Sequence, residues 1–158
     1  MNKHEICEAT LEDLPEVFRC AMAMYEELPV DTMPFTINPP RLRDILEARI
    51  RAKNGIVYVL KLGGQVRGIV VGHIVKFDDR YLPQYGNFIG RISEIYVDPE
   101  LRRQNFAKAL VQKAEAWFYS NEIRYIEADI VVGNLSSEQF FGRMGFSNLS
   151  WTVYKAHG

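Results

Sequence analysis

Apolar residues in the first third of the chain alternate only briefly and then follow helical spacing. The alternation in HEICEAT predicts a strand, and the TLED segment that begins at Thr10 has the pattern of a capping box at a helix start. That helix is expected to end near Pro29, where a proline-rich loop begins. Pro40 can start a second helix, PRLRDILEARIRAKN, which Asn54-Gly55 closes.

The remaining pattern alternates strands with helices. Two β-rich runs are hinged on Gly63-Gly64, which predicts a hairpin. After a polar, aromatic loop we expect a strand RISEIYV, a helix over residues 103–120, and a strand RYIEADIVV. NLSSEQFFGRMGF predicts a short helix that ends at Gly145, and SWTVYKA predicts a last strand. The order β-α-α-β-β-β-α-β-α-β predicts an α+β fold, in which helices pack against one mixed sheet.

The composition is that of an ordinary globular protein, since 47% of its 158 residues are hydrophobic and 25% are charged. We expect one domain over residues 1–158, because two domains would each be unusually small. The formal net charge of −1 gives no global reason to expect nucleic acid or an anionic membrane as a partner. Cys7 and Cys20 fit no metal-ligand spacing, so we expect no metal. Without a secretory segment or an apolar run of about 18 residues, the sequence predicts a cytoplasmic protein.

A turn rich in hydrogen-bond donors lies between the strand RISEIYV and the long helix, where residues 99–105 read PELRRQN. The first N–H groups of a helix have no internal partner and carry partial positive charge, so such a turn suits an anion. Arg102 and Arg103 add charge and are able to fork to phosphate oxygens. The alternative is a solvated helix start whose arginines face water. The residues alone leave both interpretations open.

Residues 92–118 resemble the acetyl-CoA-binding segment of the GCN5-related N-acetyltransferases, which has a strand, a V-x-P turn and [Q/R]-x-x-G-x-[G/A] before a helix. Residues 97–99 supply the turn as VDP, and residues 102–107 match the following positions as RRQNFA. A second motif of that family is an asparagine followed by a short helix that ends in Gly-Phe. It is matched from Asn134 to Gly145-Phe146. The predicted order of elements is also that family's order.

The resemblance implies a GNAT-like fold with a central, mostly antiparallel sheet and about four helices. It implies an N-acetyltransferase whose cofactor is acetyl-CoA and whose acceptor is a primary amine of a small molecule or peptide, attacking directly in a ternary complex. By the family's mechanism, the strand backbone pairs with the pantetheine arm, the turn amides hold the diphosphate, and the next strand–helix junction touches the cofactor. The cofactor-binding residues implied are Ile95, Tyr96, Val97, Arg102, Arg103, Gln104, Asn105, Phe106, Ala107, Asn134 and Phe141.

Two residues depart from the family's pattern. Asn105 stands where the family has a loop glycine, and asparagine is the next most tolerant residue of a positive φ angle. Phe141 stands where many members have a tyrosine that protonates the CoA thiolate, which phenylalanine cannot do. The proton then comes from another group or from water, or the protein does not turn over. Tyr96, Tyr125 and Tyr154 are the candidate donors.

Glu94 is the candidate catalytic base, since it lies in the apolar strand before the cofactor turn, where family members often place theirs. A carboxylate in such surroundings suits proton removal near neutral pH. The alternative is that Glu94 faces solvent or pairs with Arg91. Asp129 is a second candidate base, or a residue that simply faces outward on its strand. His73 lies in a strand rich in valine and isoleucine and is interpreted as structural.

The family builds its acceptor pocket from the first helix pair, the loop between them and the loop before the cofactor strand. The substrate-binding residues predicted on that basis are Glu26, Glu27, Tyr81 and Tyr85, with Tyr25 and Asp31 beside them. Carboxylates next to aromatic rings suit a cationic amine. The alternative for Glu26 and Glu27 is a solvated helix end.

Two other classes of function remain. One is a non-catalytic acyl-CoA-binding sensor or interaction domain, for which Phe141 and Asn105 are the motivation. The other is a nucleotide-binding α/β domain, although the chain has no Walker-type lysine motif and no G-x-G-x-x-G after a strand. A homodimer that pairs through a sheet edge or the last strand is also left open.

Overall fold

The computed structural model describes residues 3–29 and 33–158. The strands are β1 (His4–Glu8), β2 (Gly55–Leu62), β3 (Gln65–Lys76), β4 (Phe88–Val97) and β5 (Ile126–Ala128). The helices are α1 (Leu14–Glu26), α2 (Pro39–Arg51), α3 (Phe106–Ser120) and α4 (Leu135–Arg143), and short 3₁₀ turns cover Leu11–Asp13 and Pro99–Leu101. Over the described ranges, no helix combines the length and the apolar character needed to cross a membrane.

The strands form one five-stranded sheet in the order β1-β2-β3-β4-β5. The first four strands pair antiparallel, and β5 pairs with β4 in parallel over Gly90–Ile92. Sequential strands are neighbours throughout, and α3 makes the crossover that a parallel pair requires. This confirms the predicted α+β class, with a mostly antiparallel sheet and helices against it.

Three local signals for turns and helix ends are confirmed, but the prediction that Asn54-Gly55 closes the second helix is wrong, since α2 ends at Arg51 and Gly55 begins β2. Gly63 and Gly64 both have positive φ angles, 58° and 82°, in the tight turn between β2 and β3. The Asp13 carboxylate accepts a hydrogen bond from the Thr10 backbone N–H at 2.9 Å, as in a capping box. The short helix α4 ends before Gly145, whose φ angle is 91°.

The core has two layers because successive residues of a strand point to opposite faces of the sheet. Val71 faces α1 and α2, and its neighbour Val70 faces α3. The buried residues of the α1–α2 layer are Leu14, Val17, Cys20, Ala21, Leu42, Leu46, Val57, Val59, Val66, Ile69, Val71 and Tyr96. Those of the α3 layer are Leu60, Val70, Ile92, Val97, Leu110, Val111, Ala114, Phe118 and Ile123.

The prediction of a last strand at SWTVYKA is wrong, since residues 147–158 have no regular secondary structure. β5 is also shorter than RYIEADIVV predicted, with strand structure only at Ile126–Ala128. Alternating residues form a strand only beside a partner edge, and so short a strand offers little edge to extend. Trp151 and Val153 are instead 68% and 89% exposed.

Gly90 is needed because the Phe118 ring lies directly against it. A Cβ atom at Gly90 would lie 2.6 Å from Phe118 Cδ1, and Phe118 is fully buried. We expect Gly90→Ala to lower the free energy of unfolding by about 1–3 kcal/mol, the usual cost of overpacking a core. Urea denaturation measures this.

Gly142 provides the matched control for Gly90→Ala. It lies inside α4, and a Cβ atom there would meet nothing within 4 Å. Gly142→Ala should therefore leave stability unchanged or raise it by up to about 1 kcal/mol, because alanine loses less backbone entropy in a helix. Equal stability of both variants would show that the Phe118 contact is not tight.

Candidate active site

β4 contains one residue more than the stretch of β3 opposite it. Glu94 pairs with Val71 and Ile92 pairs with Gly72, so Ser93 has no partner in the ladder. Such a β-bulge shifts the alternation of side chains along the strand. Ile92 accordingly packs in the α3 layer, while Glu94 contacts α1 on the opposite face.

The bulge is also where β4 and β5 separate. Their pairing ends at Ile92, so from Ser93 onward β4 has β3 on one edge and no strand on the other among the described residues. The Asp98 N–H donates to the Arg67 carbonyl at 2.8 Å. Because hydrogen-bonded and non-bonded pairs alternate in an antiparallel ladder, the peptide groups of Ile95 and Val97 point to the open edge.

The turn after β4 is held by a buried carboxylate. Asp98 is buried and accepts hydrogen bonds from Arg67 Nε at 2.5 Å and from an Arg19 amino group at 3.3 Å. Arg67 also pairs with Glu100, and Arg19 donates to the Val66 carbonyl at 2.9 Å. β3 and α1 thus fix the start of the turn in place.

Two residues of the turn adopt the left-handed backbone conformation. Arg103 has a φ angle of 64° and Asn105 has one of 66°. The prediction that Asn105 tolerates a positive φ in place of glycine is confirmed. Asn105 is the N-cap of α3, yet its side chain caps no N–H group, so the first turn of α3 keeps free donors. The structure therefore presents backbone N–H groups at a helix N-terminus, as an anion requires.

The two arginines of the turn are used differently. Arg102 Nε donates to the Val97 carbonyl at 2.8 Å, and an Arg102 amino group donates to the Glu27 carboxylate at 2.7 and 3.0 Å. The Arg102 guanidinium also lies over the Tyr96 ring, 5.4 Å from its centre. Arg103 is exposed and forms no ion pair within the described ranges. Arg102 therefore joins α1 to the turn, and Arg103 keeps its charge free.

The second motif folds into a helix with defined caps at both ends. Asn134 is the N-cap of α4, and its side-chain oxygen accepts from the Ser137 N–H at 3.3 Å. At the other end the Phe146 N–H donates to the Phe141 carbonyl and the Gly145 N–H to the Gly142 carbonyl, which is a Schellman motif. Phe141 is 4% exposed, and its ring centre lies 5.1 Å from those of Phe140 and Phe146.

Glu94 is 4% exposed and has a defined hydrogen-bond partner for each oxygen. The Tyr25 hydroxyl donates to Oε2 at 2.7 Å, and the Ser93 hydroxyl donates to Oε1 at 2.6 Å. Burial and the nearby charge of Glu94 raise the pKa of Tyr25, so its hydroxyl stays a donor at neutral pH. Arg91 pairs with Glu127 at 3.3 Å. Glu94 therefore neither faces solvent nor pairs with Arg91.

The Glu94 carboxylate lines a cleft between α1, α2 and β4, which we call the acceptor cleft. Its volume is about 260 Å³. The described residues that line it are Tyr25, Ile37, Asn38, Arg41, Leu42, Ile45, Arg49, Ser93 and Glu94.

The predicted substrate-binding residues do not line this cleft. Glu26 is exposed, and Glu27 is paired with Arg102. Tyr81 is 60% exposed, and Tyr85 stacks on Tyr125 with ring centres 6.2 Å apart. Asp31 lies outside the described residues.

A smaller cavity of about 80 Å³ lies on the β5 side of the bulge and is lined by His73, Arg91 and Asp129, among others. Burial, followed by the charges of Arg49 and Arg91, lowers the pKa of His73 to about 4. His73 is then neutral at physiological pH, in agreement with a structural role. Asp129 lies just past the end of β5 and does not line the acceptor cleft.

The three candidate proton donors are in different surroundings. Tyr96 is buried in the α1–α2 layer, and burial raises its pKa. The Tyr125 hydroxyl donates to Glu127 at 3.1 Å. Tyr154 lies in the exposed C-terminal segment. Phe141 packs against Phe140 and Phe146, whereas Tyr96 belongs to the α1–α2 layer.

Sequence reasoning missed Ser93, Arg49 and Asp98 as residues of this region. The sequence pattern places Arg49 only within the helix PRLRDILEARIRAKN and Ser93 only within the strand RISEIYV. Asp98 carried a signal, because an aspartate in the turn after an apolar strand, with arginines in neighbouring segments, suggests a buried ion pair. Ser93 carried none, since a bulge depends on the register of two strands.

The sequence matches one family, the acetyltransferase (GNAT) family, over residues 21–146. That range contains the bulge, the turn with its left-handed residues and the whole of α4. A comparison with curated proteins found no match.

Several solved structures share the fold at low sequence identity. A GCN5-related N-acetyltransferase from Ralstonia eutropha JMP134 is 22% identical with a TM-score of 0.79, covering 99% of this chain and 100% of that one. The aminoglycoside N-acetyltransferase AAC(6')-Iy, solved with CoA, is 14% identical with a TM-score of 0.78, covering 99% and 96%. AAC(6')-Ih from Acinetobacter baumannii is 16% identical with a TM-score of 0.75, covering 99% of both chains.

The left-handed conformation of Asn105 predicts the effect of replacing it. Asn105→Gly should keep or slightly raise stability, and Asn105→Ala should be about 1 kcal/mol less stable than Asn105→Gly, because alanine is strained at a positive φ. Gln104→Gly is the matched control, since Gln104 lies in the same turn without a positive φ. Glycine there should lower stability. A urea titration in which both glycine variants lose stability alike would contradict the assigned conformation.

The low pKa of His73 predicts a dependence of stability on pH. The folded pKa of about 4 lies below the usual value of 6.5, so the unfolded chain binds the proton first. The stability that neutral His73 contributes is therefore complete above pH 6.5 and is lost as the pH falls toward 4. His73→Gln should lose less stability than the unaltered protein between pH 7 and pH 5, as measured by denaturation at each pH. Parallel losses would show that His73 titrates normally.

Proposed function

This chain belongs to the acetyltransferase (GNAT) family, and from that premise we propose that it transfers the acetyl group of acetyl-CoA to a primary amine of a small molecule or peptide. The observation that supports this best is the bulge at Ser93, because it opens one edge of β4 and turns Glu94 into the acceptor cleft. The proposed thioester site at the open edge of β4 and the proposed amine site in the acceptor cleft are thus adjacent at the bulge.

The residues present fit the family's cofactor, acetyl-CoA. The left-handed turn and the uncapped start of α3 offer backbone N–H groups to a diphosphate, and Arg103 adds a free positive charge. The peptide groups of Ile95 and Val97 face the open edge, where an extended pantetheine arm can pair as an added strand would. The Val97 carbonyl already accepts a hydrogen bond from Arg102. Ile95 is therefore the residue whose N–H and carbonyl are both available to the pantetheine arm.

Asn134, Phe141 and the remaining turn residues complete the proposed cofactor site. The proposed contacts of Gln104, Asn105, Phe106 and Ala107 are through their backbone N–H groups. Tyr96 lies between Ile95 and Val97 but has no polar group at the open edge, since its peptide groups face β3 and its ring packs in the α1–α2 layer. Arg102 acts by positioning, because its side chain is engaged by Glu27 and Val97.

Acetyl-CoA supplies a thioester-activated acetyl group, to whose carbon the amine nitrogen bonds as the carbon–sulfur bond breaks. An ammonium acceptor must first lose a proton, and Glu94 is the group in the cleft that can take it, directly or through water. Tyr25 and Ser93 each donate one hydrogen bond to Glu94 and so fix the carboxylate while leaving lone pairs for the acceptor. Phe141 has no proton to give, so protonation of the departing thiolate would require another side chain or water.

One observation favours a second candidate function, an acyl-CoA-binding sensor without turnover. Phe141 is packed among Phe140 and Phe146 at the position where many family members carry the tyrosine acid. Thiol release from acetyl-CoA by the unaltered protein with an amine would exclude the sensor. Tight acetyl-CoA binding without release, together with release by Phe141→Tyr, would favour it.

The first prediction from this proposal concerns the cofactor alone. Calorimetric titration of the pure protein should show saturable binding of acetyl-CoA, with ATP clearly weaker, because ATP has no pantetheine arm to pair with the β4 edge. Equal affinity for ATP would point to a general nucleotide site. Absence of acetyl-CoA binding at high micromolar concentration would refute the cofactor assignment.

The second prediction concerns Glu94. Glu94→Gln keeps the size of the side chain but cannot take a proton, so kcat should fall roughly 10²–10⁴-fold while acetyl-CoA affinity stays within about twofold. The assay is thiol release from acetyl-CoA with the primary amine that gives the highest rate with the unaltered protein. Glu12→Gln, an exposed carboxylate on the short turn before α1, is the control and should not change kcat. An unchanged kcat in Glu94→Gln would remove Glu94 from the mechanism.

A further inference from the structure

The charges in the acceptor cleft do not match those expected for a purely cationic amine. Two arginines of α2, Arg41 and Arg49, line the cleft, and Glu94 is the only carboxylate among its described lining residues. The acidic residues at the end of α1 do not change this balance. Glu27 is neutralised by Arg102, and Glu26 is exposed and does not line the cleft.

Arg49 is less exposed than Arg41, and the charge of Glu94 lies near its guanidinium. Its Nε is buried and unbonded, and its guanidinium makes no hydrogen bond or ion pair over the described ranges. The nearby Glu94 carboxylate is engaged by Tyr25 and Ser93 instead. Burial lowers the pKa of Arg49, and the nearby charge of Glu94 offsets this only in part, so an additional anion beside the guanidinium would be favourable.

Arg41 extends the positive surface to the mouth of the cleft. It lies two turns before Arg49 on α2, so the two side chains share one face of the helix. Its backbone N–H is bonded to the Asn38 side chain at 3.2 Å, but its guanidinium has no partner within the described residues. An anionic group that enters the cleft therefore meets two unpaired guanidinium groups, and Arg groups bind such anions in a bidentate manner.

We propose that the acceptor is a small primary amine that also carries an anionic group, a carboxylate or a phosphate, held by Arg49 and Arg41 while the amine faces Glu94. This rests on the proposed function and specifies its substrate class. The cleft then holds opposite charges at its two ends, Glu94 for the ammonium and the arginines for the anion. Amino acids are the simplest molecules with that charge pattern.

The size of the cleft agrees with a small acceptor. Its volume of about 260 Å³ is below the range of about 300–1,000 Å³ that is usual for drug-sized ligands. Similar structures include aminoglycoside N-acetyltransferases. An aminoglycoside carries several positive charges, and these would lie beside Arg41 and Arg49, where like charges repel. The side chains of α2 thus argue against that acceptor class for this chain.

The test compares amines that differ only in the anionic group. The probes are common L-amino acids, each paired with its neutral carboxamide, then O-phosphoethanolamine paired with ethanolamine, and one aminoglycoside. Binding is measured by calorimetry on the free and the acetyl-CoA-saturated protein, and KM is measured by thiol release. The anionic member of the best pair should bind about ten- to a hundredfold more tightly than its neutral partner.

Variants of α2 test whether the tighter binding of the anionic amine depends on the arginines of the cleft. Arg49→Gln and Arg41→Gln should each reduce it, by raising KM for the anionic probe and not for the neutral one, whereas Arg49→Lys should retain part of it. Arg43→Gln is the matched control, because Arg43 is an exposed arginine of the same helix that does not line the cleft. It should keep the full preference. Because Arg41 is exposed, Arg41→Gln should leave the stability of the fold unchanged.

Each outcome decides between the possibilities. Tighter binding of an L-amino acid than of its carboxamide would show that the arginines bind a carboxylate. Tighter binding of O-phosphoethanolamine than of ethanolamine would show that they bind a phosphate. Equal binding within every pair, stronger binding of the aminoglycoside, or no binding of any anionic amine would overturn the proposal. Loss of acetyl-CoA binding is a separate result that refutes the proposed function, and the titrations on the free protein still test the cleft in that case.

Discussion

Ser93 divides β4 into two halves with different partners, and the rest of the site depends on that division. Before the bulge, β4 is a central strand between β3 and β5, and Ile92 packs under α3. After it, β4 has an open edge, and Glu94 and Tyr96 face α1 and α2. In a regular strand of the same sequence, without the bulge, Glu94 would share the face of Ile92 and point into the α3 layer, where a carboxylate has no partner.

The turn after β4 is stabilised mainly by its buried carboxylate. Two left-handed residues, Arg103 and Asn105, each cost on the order of 1 kcal/mol. An exposed pair such as Arg102–Glu27 contributes about 0–1 kcal/mol, too little to offset both. Asp98 is buried and pairs with Arg19 and Arg67, whose side chains are partly exposed, and a buried carboxylate that lost these partners would destabilise the turn. The geometry that suits a diphosphate is thus maintained from β3 and α1, outside the turn itself.

Features set by a few neighbouring residues could be predicted from the sequence. The Gly63-Gly64 hairpin, the end of α4 at Gly145 and the left-handed Asn105 each follow from local backbone preferences. The strand predicted at SWTVYKA failed because alternation shows what a strand needs without showing whether a neighbouring edge exists. The contacts of Arg102 with Glu27 and of Tyr25 with Glu94 join residues far apart in the chain, so only the assembled fold shows them.

The two ends of α4 and the charges of α2 carry different kinds of information. Asn134 caps α4, and Gly145-Phe146 closes it in a Schellman motif whose Phe146 ring packs on Phe141, so helix capping accounts for both ends of the second motif. Such constraints belong to the fold and are satisfied whatever amine is bound. Arg41 and Arg49 satisfy no constraint of the fold, since no described residue pairs with their guanidinium groups. Side chains that the fold does not need, placed beside Glu94 in a cleft, are available to a ligand, and this is the basis for proposing an anionic acceptor.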